Sequence, residues 1–315
     1  MDRVRKVSSD RVSTALLVSL GAVWGSAFIA IRYVLNEGAS PFFFVLVRML
    51  SQAAVMAAVA LVAKERWPVR RDAWISAVLG GAFVMGGYQV LLFWGEQFTS
   101  GGLAGVLVAG SPLFTAVLAL FLLRQEAFGR LGSLGLAAGF AGVALLFEPE
   151  LVNGGSSSLE GLAAILGAAL AFALGSILLR KWRPGGESYW GASIEFAAGG
   201  VFALPFVFAF EPRPAFPLGP GSLIATAYLV GAAGVLGFVI YFHLHGHIGP
   251  GRANLVSFVS PVAALVTGVL ILGEAYAAVQ IGGFLLIVLG LYLVQRDRSR
   301  PPDAATVSAA GPREA

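Results

Sequence analysis

The chain has 315 residues, of which 57% are hydrophobic and 12% charged, against about 25% charged in a soluble domain. Apolar windows long enough to cross a bilayer recur along its whole length, so the net charge of +4 reads as a topology signal and not as a nucleic-acid footprint. Cysteine is absent, which excludes disulfides, thiolate metal sites and thiol redox chemistry.

Taken in chain order, ten apolar spans are predicted, at about 14–35, 40–63, 73–95, 101–123, 128–147, 160–181, 188–210, 221–243, 251–272 and 276–295. The basic start followed by an apolar stretch resembles a signal peptide. That stretch is too long for one and no small-residue cleavage site follows, so it reads as an uncleaved first helix. The loops are short and carry no inserted soluble domain. The chain divides into a cytoplasmic N-terminal tail (1–13), a first five-helix repeat (14–147), an external linker (148–161), a second five-helix repeat (162–295) and a polar, Pro/Ala-rich tail (296–315) expected to be disordered and cytoplasmic. Of the 21 Lys and Arg, 18 fall on the side that carries both termini. Arg213 lies on the opposite side, and Arg32 and Arg48 lie within spans. Both termini are therefore expected in the cytoplasm, which an even number of spans allows.

The repeat is read from the chain itself. A shift of 148 residues lays Ile29 on Ile177, Arg32 on Arg180, Gly86 on Gly234, Glu126 on Glu274, Gly135 on Gly283 and Gly142 on Gly290. A shift of 149 lays Ser111-Pro112 on Ser260-Pro261, opening the parallel runs SPLFTAVLALFLLRQE and SPVAALVTGVLILGE. Five helices per half is an odd number, so the second half enters the membrane from the other side. The loop charges flip between halves as that inversion requires. Inverted repeats are the architecture of secondary transporters, whose halves rock about a site near the midplane.

Within the spans, Trp24, Ser26, Tyr88, Gln89, Ser111, Asn254, Ser257 and Ser260 combine aromatic faces with hydrogen-bonding groups and are candidates for a substrate cavity. For the aromatics the alternative is ordinary packing, and for the hydroxyls and Asn254 it is helix-to-helix hydrogen bonding. Arg48 and Glu195 are candidates for coupling or gating, because a charge at depth is costly unless paired or hydrated. Glu195 reads as the only carboxylate deep in a span. It is open to proton coupling, to a substrate ammonium, or to a structural pairing with Arg48. His243, His245 and His247 form an HxHxH run at the end of the eighth span. With no acidic or thiol partner nearby, a metal site is not expected, and His243 is kept as a pH-sensitive gating candidate beside a plain interfacial loop. Pro112 and Pro261 lack an N–H and are candidate helix kinks; the alternative is that each merely shapes packing near a helix start. Glu126 and Glu274 read as structural, capping the next helix N-terminus. Trp67, Trp74, Trp182 and Trp190 read as interface anchors. Glycines 101, 105, 135 and 139 give GxxxG spacing, for internal packing or a dimer.

These features together resemble the drug/metabolite transporter superfamily, of the EamA type. The resemblance rests on ten spans in two repeats, WGSAF at Trp24–Phe28, Arg48, and the Ser-Pro-apolar-Glu runs followed by Gly-rich helices. It implies an all-α integral membrane fold and outward transport of small metabolites such as amino acids, with no enzymatic activity. One departure stands out. The second half offers Phe172-Ala173-Leu174 and Phe196 in place of Trp24-Gly25-Ser26 and Arg48, so the halves are expected to contribute unequally. No ATP-binding loop is present in the sequence. The expected partners are a small-molecule substrate and the lipid bilayer, with proton coupling open, no nucleic acid, no cofactor, and a monomer or homodimer. The rival readings are an intramembrane lipid-handling protein and a non-transporting scaffold.

Overall fold

The structure, a computed structural model, describes residues 2–68, 71–122, 128–153, 158–180 and 188–298. Ten apolar helices run through them: α1 (Asp2–Asn36), α2 (Pro41–Val62), α3 (Arg71–Glu96), α4 (Gly101–Leu122) and α5 (Arg130–Asn153) in the first half. The second half holds α6 (Leu159–Arg180), α7 (Tyr189–Phe210), α8 (Pro220–Gly249), α9 (Val256–Leu272) and α10 (Ala278–Arg298). Nine are long and apolar enough to cross a membrane, and α9, with 17 residues, is shorter. No strand occurs among the described residues.

The helix ends differ from the sequence expectation in five places, two of them at α8, which runs on past 243 to Gly249, and α9, which begins only at Val256. Helix α1 begins at Asp2 and takes in the N-terminal tail, where no Pro or Gly interrupts it. Helix α5 continues through Pro149 to Asn153, into the expected linker, and α10 reaches Arg298, into the expected tail. Glu126, Trp182, residues 154–157 and the tail from 299 lie outside the described residues.

Packing follows the repeat. Helix α5 packs on α10, α2 on α7, α1 on α9 and α4 on α6. The 148-residue shift maps the first two pairs onto themselves and exchanges the last two, as a pseudo-two-fold axis does. The α5–α10 contact shows this residue by residue. A β-carbon on Gly135 would lie 2.7 Å from the Gly290 carbonyl oxygen, and one on Gly142 would lie 2.5 Å from that of Gly283. Gly283 and Gly290 are the repeat counterparts of Gly135 and Gly142, so each contact is the other's partner under the two-fold. Backbones approach this closely only without side chains. Gly135 and Gly139 are thereby used inside the bundle, Gly139 lying against Leu113.

The helix N-termini are tied across the halves by carboxylates. On the face opposite the termini, Phe42 and Phe43 at the start of α2 donate their N–H groups to Glu211 Oε1 and Oε2, both at 2.8 Å. On the terminal face, the Trp190 N–H at the start of α7 donates to Glu65 Oε2 at 3.0 Å. Phe42 and Trp190 are repeat counterparts, so α2 and α7 exchange caps. Trp67 and Trp74 pack with Trp190 over the Glu65 cap, ring centroids 4.4 Å apart for Trp67–Trp190 and 5.3 Å for Trp67–Trp74. Glu274 also caps a helix, though not the next one. It accepts from Gly101 and Gly102 at the start of α4, at 2.8 and 3.0 Å. The connection from α9 folds back over α4, which brings the carboxylate there before α10 begins. Tyr276 donates its hydroxyl to Glu274 at 2.5 Å. Burial, then that carboxylate, push the Tyr276 hydroxyl above the usual phenol range, which keeps it a donor.

Two wide, π-type turns interrupt the bundle, at Gly81–Gly87 in α3 and at Tyr228–Leu236 in α8. The repeat shift lays one on the other. Near Pro112, α4 breaks at Gly110, where Gly110 and Leu113 make short-range bonds to Leu107 and Gly110. By contrast, α9 stays helical through Pro261.

Two predictions follow from these contacts. Gly142→Leu should destabilise the protein by about 1–3 kcal/mol through overpacking, whereas Gly282→Ala, with no neighbour within 4 Å, should leave the melting temperature unchanged. Thermal unfolding in detergent measures both. Burial pushes the Glu211 carboxyl above the ordinary carboxylate value, and the Phe42 and Phe43 N–H groups pull it part of the way back. A carboxyl whose folded value is raised contributes stability that is present at low pH and lost as pH rises through that value. Wild type should therefore gain stability over Glu211→Gln as pH falls from the raised value to the ordinary one, and gain no more below it. A melting-temperature difference that is flat across this range would contradict the assignment.

Candidate functional site

The wide turn of α8 leaves backbone carbonyls that the regular ladder does not serve, and side chains from α1 and α2 reach them. The Trp24 indole N–H donates to Ala233 O at 3.0 Å. The Gln52 amide donates to Leu229 O at 3.0 Å. Ser26 Oγ lies 2.6 Å from Tyr228 Oη, and Tyr228 donates to Val23 O at 2.9 Å. Small residues make room for this. A β-carbon on Gly234 would meet the Gln52 amide at 2.1 Å, and one on Gly237 would meet the Trp24 indole nitrogen at 2.6 Å. Phe238 and Tyr241 continue the aromatic surface beside Trp24, with centroids at 6.0 and 5.3 Å. The arrangement offers aromatic faces beside an indole, an amide, a phenol and a hydroxyl, which suits a small amphipathic ligand.

Trp24 and Ser26 thus meet at one place. Tyr88 and Gln89 sit directly after the equivalent turn of α3. The Tyr88 ring packs on Phe172, the counterpart of Trp24, at 5.6 Å, and Gln89 is buried with its Oε1 atom lacking a hydrogen-bond partner. Ser260 is half-buried, and its carbonyl faces Gly25 at the α1–α9 contact. Ser111 is buried at the break in α4. Ser257 is half-buried at the start of α9, while Asn254 is exposed and accepts from Tyr241 at 3.1 Å. His243 is exposed and stacks on His247 at 3.9 Å, away from this cluster. Glu195 is buried, and its backbone carbonyl packs on Gly81 in the wide turn of α3.

Three polar residues of interest were not marked by the sequence. Gln52 lies one turn beyond Arg48 on the same helix face, and Tyr228 opens the second wide turn; neither belongs to a repeated motif. The third, Glu96, corrects the reading of Glu195 as the only deep carboxylate. Helix α3 extends through Glu96, which is fully buried. The expected span ended one residue short of it. Arg48 is buried on the facing stripe of α2, its guanidinium 5.5 Å from the Phe93 ring centroid.

With this geometry established, the comparisons decide the family. The EamA-like transporter family matches residues 12–148 and again 159–296. The chain belongs to this family. Among its relatives is the uncharacterized inner membrane transporter YedA of Escherichia coli (strain K12), 28% identical over 286 residues, covering 88% of this chain and 90% of YedA. The uncharacterized transporter YvbV of Bacillus subtilis (strain 168) is 26% identical and covers 98% of this chain and 97% of its own length. The WAT1-related protein At3g02690, chloroplastic, of Arabidopsis thaliana is 28% identical over 89% of this chain and 68% of that protein. A solved crystal structure superposes with a TM-score of 0.61 at 19% identity, covering 92% of this chain and 99% of that one, and shows the same fold. The EamA-like protein is therefore a multi-pass membrane protein of two repeated halves, and the names of its relatives are those of transporters and not of enzymes.

Gln52→Leu removes the amide and leaves Leu229 O unserved. A buried acceptor left alone costs about 1–3 kcal/mol. The expected outcome is a lower melting temperature than for Gln97→Leu, whose amide bonds only Trp94 O at 3.3 Å within its own turn.

Proposed function

We propose that this protein is a secondary transporter that moves small organic metabolites, amino acids or related compounds, across the membrane by alternating access. Its work is export, the direction that the resemblance to metabolite exporters favours. The observation that carries the mechanism is the pair of wide turns at equivalent positions of the two inverted halves. A wide turn is a point where a helix changes shape at little cost, and such turns recur at functional sites. Set in two halves related by a pseudo-two-fold, they give each half a matching point of give around one central site. The polar and aromatic groups of Trp24, Ser26, Gln52 and Tyr228 converge on one of them. The bias of basic residues supports cytoplasmic termini, and the YedA relative supports an inner-membrane location.

Because the chain has no cysteine, single cysteines report cleanly. In Tyr88→Cys and Ser260→Cys, a membrane-impermeant thiol reagent should label the site from each face in turn, and a transported metabolite should slow that labelling. No labelling from either face would mean a sealed, dry centre and would retire the transport reading in favour of a scaffold.

A further inference from the structure

Helices α2 and α3 face each other along a stripe that a packed membrane bundle has no structural need to make polar. Phe44, Arg48 and Gln52 follow one another at one-turn intervals on α2; Gln89, Phe93 and Glu96 do so on α3. The aromatic members join the stripes, with Phe44 stacked on Phe93 at 5.7 Å and on Phe216 at 5.5 Å. The polar members are left with open positions. Arg48 Nε and Nη1, Gln52 Oε1, Gln89 Oε1 and both carboxylate oxygens of Glu96 are buried without a hydrogen-bond partner. Thr99 Oγ1, just past Glu96, is in the same condition. Buried polar atoms are nearly always satisfied, so a row of orphans on two facing stripes marks a place for something mobile.

The second repeat shows that packing alone does not call for this chemistry. The counterparts of Arg48, Gln52, Gln89 and Glu96 are Phe196, Gly200, Gly237 and Leu244. Phe196 and Leu244 are buried as fully as the charged residues they replace. Other carboxylates are engaged: Glu65, Glu211 and Glu274 each accept from backbone N–H groups of another helix, Asp297 from Gly129 and Asp72 from Ala73. Glu96 receives no such bond. Instead its own carbonyl accepts from Arg32 Nη1 of α1.

The charges around it are balanced for a switch. Arg32 faces it from α1, Arg48 from α2, and Glu274 from the α9–α10 connection. Tyr88 lies on its own helix. Gly101 and Gly102 open α4 at this end and hold Glu274, to which Tyr276 also donates, and α6 presents Gly161, Ala164 and Ile165 to neighbouring Gly95, its Glu160 being exposed. An anionic Glu96 attracts both guanidinium groups and a protonated one does not. The stacked rings of Phe44, Phe93 and Phe216 pack beside the polar groups, so this seam suits a proton and not an organic solute.

Resting on the transporter reading above, we propose that Glu96 carries the coupling proton, delivered along a hydrated seam between α2 and α3. The proton comes from water at one face, resides on a Glu96 carboxylate oxygen, and returns to water at the other face when the halves rock. No bond other than O–H is made or broken.

The test needs no identified substrate. Infrared difference spectra between acid and neutral pH should show a protonated-carboxyl C=O band in lipid-reconstituted protein carrying Glu211→Gln, which removes the other raised carboxyl. That band should be lost in Glu96→Gln, kept in Glu195→Gln and displaced in Glu96→Asp. In the Ser260→Cys background, thiol labelling, divided at each pH by that of an exposed single-cysteine control to remove the thiol's own ionisation, should depend on pH with Glu96 present and lose that dependence in Glu96→Gln. A merely structural carboxyl would leave the labelling profile unmoved. A band that survives Glu96→Gln, or one abolished by Glu195→Gln, overturns the proposal; should Glu96→Gln not fold, an undisplaced band in Glu96→Asp overturns it equally. If Ser260→Cys labels from both faces while the band ignores Glu96, the proton assignment falls and transport stands. If it labels from neither face, the transport reading itself falls.

Discussion

Inside hydrocarbon there is no water to serve a backbone N–H or C=O, so every such group must find its partner within the protein. The bundle meets this demand at the places where helices cannot meet it alone. Helix N-termini leave free N–H groups, and carboxylates from the other half take them up: Glu211 for α2, Glu65 for α7, Glu274 for α4. Wide turns leave carbonyls, and Trp24 and Gln52 take those up. The same requirement explains why so few charges survive inside the spans. It also ties the halves together, since each of these partners comes from a different helix and most cross the repeat boundary.

The two-fold relation decides which of these ties can move. Helices α2 and α7 cap each other at both faces in the same conformation, and α5 and α10 interlock through reciprocal glycine contacts. Contacts that hold at both ends at once do not alternate, so these two pairs form the fixed axis. The wide turns lie in α3 and α8, outside those pairs, and the Glu274 cap joins α4 to the α9–α10 connection. Under the proposed alternating access, movement between inward and outward states belongs to α1, α3, α4, α6, α8 and α9, which the two-fold exchanges with one another. Symmetry in the axis and freedom in the exchanged helices arise from the same duplicated sequence.

Much of this was legible in the residues. Ten spans, the repeat offset and the inversion all follow from hydropathy, self-similarity and loop charge, because these are properties of long segments and tolerate errors at any one position. The cluster on α1 was half visible: Trp24 and Ser26 stand out in WGSAF, but Gln52 and Tyr228 are ordinary residues until the wide turn of α8 gives them something to bond. A π-type turn has no residue signature beyond small side chains, so GAFVMGG and YLVGAAGVL read simply as apolar helix. Glu96 was lost for a different reason. It stands at a helix end, where span boundaries are least certain, and one residue separates a solvent carboxylate from a buried one. Glu274 was seen as a cap, but which helix it caps depends on how the chain turns back, a tertiary fact that spacing alone does not carry.

The departures from symmetry then become the informative part of the chain. Duplication begins with two equal halves, and whatever serves only the frame has no reason to diverge in character; the α5–α10 glycines have kept theirs. The α1–α2–α3 region has not. Trp24 faces Phe172 across the repeat, Gln52 faces Gly200, Arg48 faces Phe196 and Glu96 faces Leu244. In each pair the first half holds the hydrogen-bonding or charged member and the second half the apolar or small one. Each buried polar group in that set costs desolvation that the apolar twin avoids. A structure that tolerates the cheaper residue in one half and keeps the costly one in the other is using the costly one. On the proposed transport reading, recognition and coupling are concentrated in the first repeat, reaching across to the wide turn of α8, while the second repeat supplies the matching scaffold.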